Sequence, residues 1–158
     1  MTGQIKKLAA LLTDSGSKVC TAESCTGGLI AKSLTDLAGS SSWFERGFVT
    51  YSNEAKTEML GVSALLIESY GAVSEPVVNA MALGALKHSR ADCSIAVTGI
   101  AGPGGGSDEK PVGTVWVGVA AKNQMHAHKY CFKGDRESVR LTAMQTAIAD
   151  LLRLLSND

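Results

Sequence analysis

A chain of 158 residues, 45% hydrophobic and 19% charged, has the size and apolar content of a domain with one core. No composition shift divides it, so residues 1–158 are expected to form a single domain. Fifteen Lys and Arg balance fifteen Asp and Glu, which removes the net positive field behind non-specific nucleic-acid binding; no run of about 20 apolar residues suits a membrane span.

The stretch Leu8–Leu12 is too short for the core of a signal peptide, so a soluble, cytoplasmic protein is expected. Ile5, Leu8, Leu11 and Leu12 recur at helical spacing until the Asp14–Ser17 cluster. Val19–Glu23 reads as a strand, and Leu29, Ile30, Leu34 and Leu37 as a second helix that Gly39–Ser42 breaks. Phe48–Tyr51 reads as strand, Asn53 as the cap of a helix carrying Lys56, Met59 and Leu60, and Ser74 as the cap of another through Leu86. Cys93–Val97 is a buried-strand candidate, and the loop from Thr98 to Pro111 holds five of the 17 glycines. Val112–Ala121 and His126–Phe132, separated by Lys122–Gln124, suit a hairpin. After Asp135, a long helix is predicted to carry Leu141, Met144, Ile148, Leu151, Leu152 and Leu155 on one face. Interleaved helices and strands ending in a hairpin predict a three-layer α/β/α sandwich with a mixed sheet.

Ser24 lies where the first strand gives way to a helix through Cys25-Thr26-Gly27-Gly28. A hydroxyl there has free backbone N–H groups beside it, the layout of a nucleophile with its own oxyanion site; the same residue types also suit a simple helix cap. Ala22 and Thr26 replace the glycines of a Gly-x-Ser-x-Gly elbow, which argues against an α/β-hydrolase. Cys25 is a rival nucleophile without a nearby histidine in sequence. Lys56 falls in the first turn of its helix, where the helix dipole disfavours an ammonium and favours a neutral amine able to accept a serine proton. Tyr51 could relay that proton or hold a substrate. Glu23 is either an orienting group or a satisfied buried carboxylate.

The loop Thr98–Gly106 lacks the Gly-Lys-Ser/Thr of a P-loop and the Gly-x-Gly-x-x-Gly fingerprint, although its N–H groups could still cradle an anion or an amide. Arg136 and Arg140 share one face of the first turns of the last helix, positions that a bound anion or Asp135 and Glu137 would balance. His126 and His128 alternate on a strand without a third ligand at suitable spacing, so no metal is expected. The four scattered cysteines read as buried thiols in a reducing compartment.

Together, Ala22–Gly28, Phe48–Lys56, Gly71–Glu75, Thr98–Pro103 and Gly134–Arg140 resemble the C-terminal domain of the CinA family, the nicotinamide-nucleotide amidases. The resemblance implies cofactor-free hydrolysis of the carboxamide of nicotinamide mononucleotide in pyridine-nucleotide salvage, by a homodimer. It assigns Ser24 as nucleophile, Lys56 as base and Tyr51 as an assisting neighbour. It also assigns Thr26, Gly27 and Gly28 to the oxyanion, Thr98, Gly99 and Gly102 to the nucleotide, and Arg140 with Arg136 to its phosphate. A non-catalytic, nucleotide-binding regulatory module related to competence or DNA damage is the alternative.

Overall fold

The computed structural model describes residues 1–156. Its elements alternate as expected: α1 (Thr2–Ser15), β1 (Val19–Glu23), α2 (Leu29–Thr35), a short 3-10 turn (Ser40–Ser42), β2 (Phe44–Val49), α3 (Asn53–Leu60), α4 (Ala64–Tyr70), α5 (Glu75–Lys87), β3 (Cys93–Gly99), β4 (Thr114–Ala121), β5 (Gln124–Cys131) and α6 (Arg136–Ser156). The strands form one sheet in the order β2-β1-β3-β4-β5. β1 runs parallel to both β2 and β3, while β3, β4 and β5 pair antiparallel. This is the mixed sheet that the late hairpin predicts.

Strand alternation sorts side chains into two layers. Val19, Ile95, Val97, Val115, Val117 and Val119 pack under α1, α2 and α6. The opposite face carries small residues, Cys20, Ala22, Ala96 and Ala120, against α3, α4 and α5. Small side chains let α5 approach closely enough for the Ser94 hydroxyl to donate to the Ala82 carbonyl at 2.9 Å. The three-layer α/β/α sandwich therefore stands.

Several local expectations are corrected. β2 starts at Phe44 and ends at Val49, because the Glu45-Arg46 pair that masks its pattern lies on a sheet edge, where charge is tolerated. The cap of α3 is Ser52, whose hydroxyl accepts the Ala55 N–H at 3.0 Å, and Asn53 is the first helical residue. α4 was not expected; seven residues give too little periodicity to register, and Ser63 caps it. On α6, Leu141 faces outward, while Val139, Ala143 and Ala147 join Met144, Ile148, Leu151 and Leu154 in the buried stripe. Cys20, Cys25 and Cys93 are buried free thiols, but Cys131 is exposed on the edge strand.

The topology decides where a ligand can sit. β1, β2 and β3 point the same way and end side by side, with Glu23 opposite both Val49 and Val97. The loops after them converge on one sheet edge, the crevice that open α/β sheets use for ligands. Two main-chain bonds hold the exits together: Ser24 N–H to the Val97 carbonyl at 3.0 Å and Thr50 N–H to the Glu23 carbonyl at 2.9 Å.

Candidate active site

A cavity of about 290 Å³ opens at that edge, and Ser24, Cys25, Tyr51, Asn53, Lys56, Thr98, Gly99, Gly102 and Arg136 line it. A larger cavity of about 530 Å³ lies between α3 and α4, but Glu54, Glu58 and Glu68 line it and it contains neither a nucleophile nor a buried cation. The chemistry-bearing groups are in the smaller one.

Ser24 follows the last residue of β1 and is 8% exposed. Its hydroxyl has no hydrogen-bond partner among the described residues. Lys56, in the first turn of α3, is only 1% exposed. Its Nζ donates to the main-chain carbonyls of Tyr51 at 3.3 Å and Ser52 at 3.4 Å. It forms no ion pair among the described residues, and its pKa is lowered from the ordinary lysine value. Burial is the principal cause, rather than the helix dipole expected from the sequence, while nearby Cys25 and Glu54 push the other way. Cys25 is buried as well, and burial drives its thiol up to about 11, so it stays protonated near neutrality.

The Cys25–Gly28 turn is held from two sides. Arg140 reaches back from α6, its Nε donating to the Cys25 carbonyl at 3.0 Å and its Nη2 to the Thr26 carbonyl at 3.1 Å. Glu23, a satisfied buried carboxylate, accepts from the Thr26 hydroxyl at 2.7 Å, the Ile30 N–H at 2.8 Å and the Ala31 N–H at 3.0 Å. Gly28 enters α2 at φ 104°, a left-handed conformation that a side chain would strain. The Gly27 N–H is donated to the Ser24 carbonyl at 3.0 Å. The Cys25 and Thr26 N–H groups make no hydrogen bond to another residue among the described residues. Thr26, Gly27, Gly28 and Arg140 therefore build the turn behind Ser24 and do not themselves line the cavity.

The remaining expected residues are spread around the opening. Thr98 lines the cavity, but its hydroxyl donates to the Ala72 carbonyl at 2.9 Å, tying β3 to the α4–α5 loop. A side chain on Gly99 would meet Val115 Cγ2 at 2.7 Å and the Thr114 carbonyl oxygen at 2.9 Å, so close β3–β4 packing requires glycine there. Arg136 donates to the Gly102 carbonyl at 2.9 Å and to the Tyr51 phenolic oxygen at 3.0 Å. Tyr51 is 57% exposed; its main-chain carbonyl meets Lys56, whereas its phenol meets Arg136. His126 and His128 lie on β5, away from this edge, and His128 Nδ1 is 3.7 Å from Asp150. Sequence reasoning left the role of Glu23 open and did not foresee the Arg140 brace, a contact across 114 and 115 residues.

Known proteins are similar to this chain in sequence and fold. The chain is 57% identical over 152 residues to the nicotinamide-nucleotide amidohydrolase PncC of Enterobacter agglomerans, covering 93% of each protein. It is 58% identical over 137 residues to the protein of the same name from Escherichia coli K12, covering 86% of this chain and 83% of that one. The crystal structure of the competence/damage inducible protein CihA from Agrobacterium tumefaciens superimposes with a TM-score of 0.94 at 47% identity, covering 96% of this chain and 93% of that one. The CinA C-terminal domain model matches residues 2–155, which takes in the serine turn, the buried lysine and both arginines: the chain belongs to the CinA C-terminal domain family.

Proposed function

We propose that this protein is a nicotinamide-nucleotide amidohydrolase, converting nicotinamide mononucleotide and water to nicotinate mononucleotide and ammonia. The observation that carries the reading is the presence in one cavity of a serine hydroxyl and a buried lysine, the one without a hydrogen-bond partner and the other without an ion pair among the described residues. The high identity to relatives bearing the amidohydrolase name supports the substrate.

In this reading a neutral Lys56 keeps its two N–H donors on the Tyr51 and Ser52 carbonyls, which leaves the nitrogen lone pair to take the Ser24 proton. The Ser24 oxygen then attacks the carboxamide carbon. Negative charge gathers on the former carbonyl oxygen, and the N–H of Cys25, which lines the cavity and makes no hydrogen bond among the described residues, is the donor available to stabilise it. Collapse of the tetrahedral intermediate breaks the C–N bond as Lys56 returns the proton to nitrogen, releasing ammonia and leaving an ester on Ser24. Water, deprotonated by the same lysine, hydrolyses that ester and frees the carboxylate. Arg136 uses two of its five N–H donors internally, leaving three for the substrate phosphate. The reading extends, on family resemblance, to a one-domain homodimer acting in pyridine-nucleotide salvage in the cytoplasm.

The test is ammonia release by purified protein from nicotinamide mononucleotide, with nicotinamide as control substrate. Ser24→Ala and Lys56→Ala are each expected to abolish turnover while far-UV circular dichroism stays unchanged. Full turnover by both folded variants would refute the serine–lysine centre.

A further inference from the structure

We infer that Glu23 is a positioning residue for the reaction, holding the turn that presents the Cys25 N–H beside Ser24 through the hydroxyl of Thr26. The inference rests on the amidohydrolase reading only for the substrate used to measure it.

Glu23 is buried at the end of β1 and forms no ion pair among the described residues. A desolvated carboxylate must be compensated by hydrogen-bond donors, and here they number three. Two of them, the N–H groups of Ile30 and Ala31, belong to the first turn of α2, whose own cap position is a glycine without a side chain. A helix-capping role accounts for those two. It does not account for the shortest bond, 2.7 Å from the Thr26 hydroxyl, which lies inside the turn that follows the nucleophile.

That bond has a consequence for Ser24. Gly27 and Gly28, at φ 58° and 104°, give the turn little stiffness of its own. Thr26 is instead fixed by its side chain to Glu23, and its carbonyl accepts from Arg140 and from the Leu29 N–H. With its hydroxyl and carbonyl both anchored, Thr26 fixes the C-terminal side of Cys25, the Ser24 N–H bond to the Val97 carbonyl fixes the other side, and the free Cys25 N–H that lines the cavity between them has a defined direction. Glu23 thus fixes where an oxyanion donor points without touching substrate. Glutamine in its place would turn an amide N–H₂ toward groups that are themselves donors, either at the Thr26 and Ile30 side or at Ala31.

The experiment compares Glu23→Gln, Thr26→Val and Thr26→Ser with the parent protein, reading kcat and KM for nicotinamide mononucleotide. It also reads the rate at which a fluorophosphonate probe modifies Ser24, a reaction that needs no nucleotide. E23Q and T26V are each expected to lower kcat and the labelling rate about 100-fold, the size of a lost oxyanion donor, with KM unchanged. T26S, which keeps the hydroxyl, should recover most of the T26V loss, and the E23Q/T26V double variant should be no slower than the worse single one. Folded E23Q and T26V with parental kcat and labelling, or with a rise in KM alone, would overturn the inference. If E23Q does not fold, T26V against T26S decides. A parent protein that is labelled at Ser24 yet releases no ammonia would remove the amidohydrolase reading, and the labelling rates would then decide this inference by themselves.

Discussion

Lys56 Nζ donates to the main-chain carbonyl of Tyr51 at 3.3 Å, while the phenol of the same tyrosine accepts from Arg136 at 3.0 Å. The two ends of Tyr51 therefore serve different neighbours, and the contact to the buried amine is independent of the side chain. Tyr51→Phe should keep kcat and its pH dependence and raise KM, because Arg136 loses an anchor. Steady-state kinetics across pH will check this, and a collapse of kcat would show that the phenol carries a proton.

Lys56 supplies a pH prediction with a definite sign. The working form is the neutral amine, so kcat/KM should rise with pH and level off, with a midpoint below the 10.5 of an ordinary lysine. The same shift acts on stability. A cation whose pKa falls on folding binds its proton more weakly in the folded chain. The unfolded chain therefore holds more protons between the lowered value and 10.5, and stability rises with pH through that window. Below the window the full penalty of burying an ammonium remains. Lys56→Met, which removes it, should be inactive but melt at or above the parental temperature at pH 7. Melting several degrees lower would mean that the amine stabilises the fold as a cation.

Arg136 and Arg140 should separate in kinetics although they share a helix face. Arg136 lines the cavity, so Arg136→Ala should raise KM for the mononucleotide far more than for the riboside, which lacks the phosphate. Arg140 holds two carbonyls, so Arg140→Ala should lower kcat equally for both substrates. Its loss should also destabilise the fold by about 1–3 kcal/mol, because the Cys25 carbonyl loses its donor and the Thr26 carbonyl keeps only the Leu29 N–H. Thermal unfolding and the ratio of the two specificity constants are the measurements. A phosphate-dependent loss at Arg140 would contradict the brace.

Cys25 lines the cavity but keeps its proton, with its thiol near 11. Cys25→Ala retains the backbone N–H and should preserve activity, with a stability change of about 1 kcal/mol. Iodoacetamide near neutral pH should leave ammonia release intact. Rapid inactivation that the substrate prevents would point to a thiolate.

Local sequence carried the parts of the site that local physics determines. A hydroxyl at a strand-to-helix turn and a lysine in a first helical turn were legible because both depend on neighbours a few residues away. Alternation and helical spacing likewise gave the layers and the mixed sheet. The Arg140 brace was not legible, because its partners Cys25 and Thr26 lie more than a hundred residues earlier, and any guanidinium on that face looks free to meet an anion. Nor could spacing reveal which end of Tyr51 faces the amine, since backbone and side chain share one position in the chain. Lys56 illustrates a subtler gap: the direction of its pKa shift followed from helix position, but the larger cause is burial, which only packing creates.

The guanidinium that steadies the nucleophile turn belongs to residue 140 of a 158-residue chain. During synthesis the ribosome emits Ser24 more than a hundred residues before this brace, so the turn is expected to reach its final rigidity only after the α6 segment has emerged and docked.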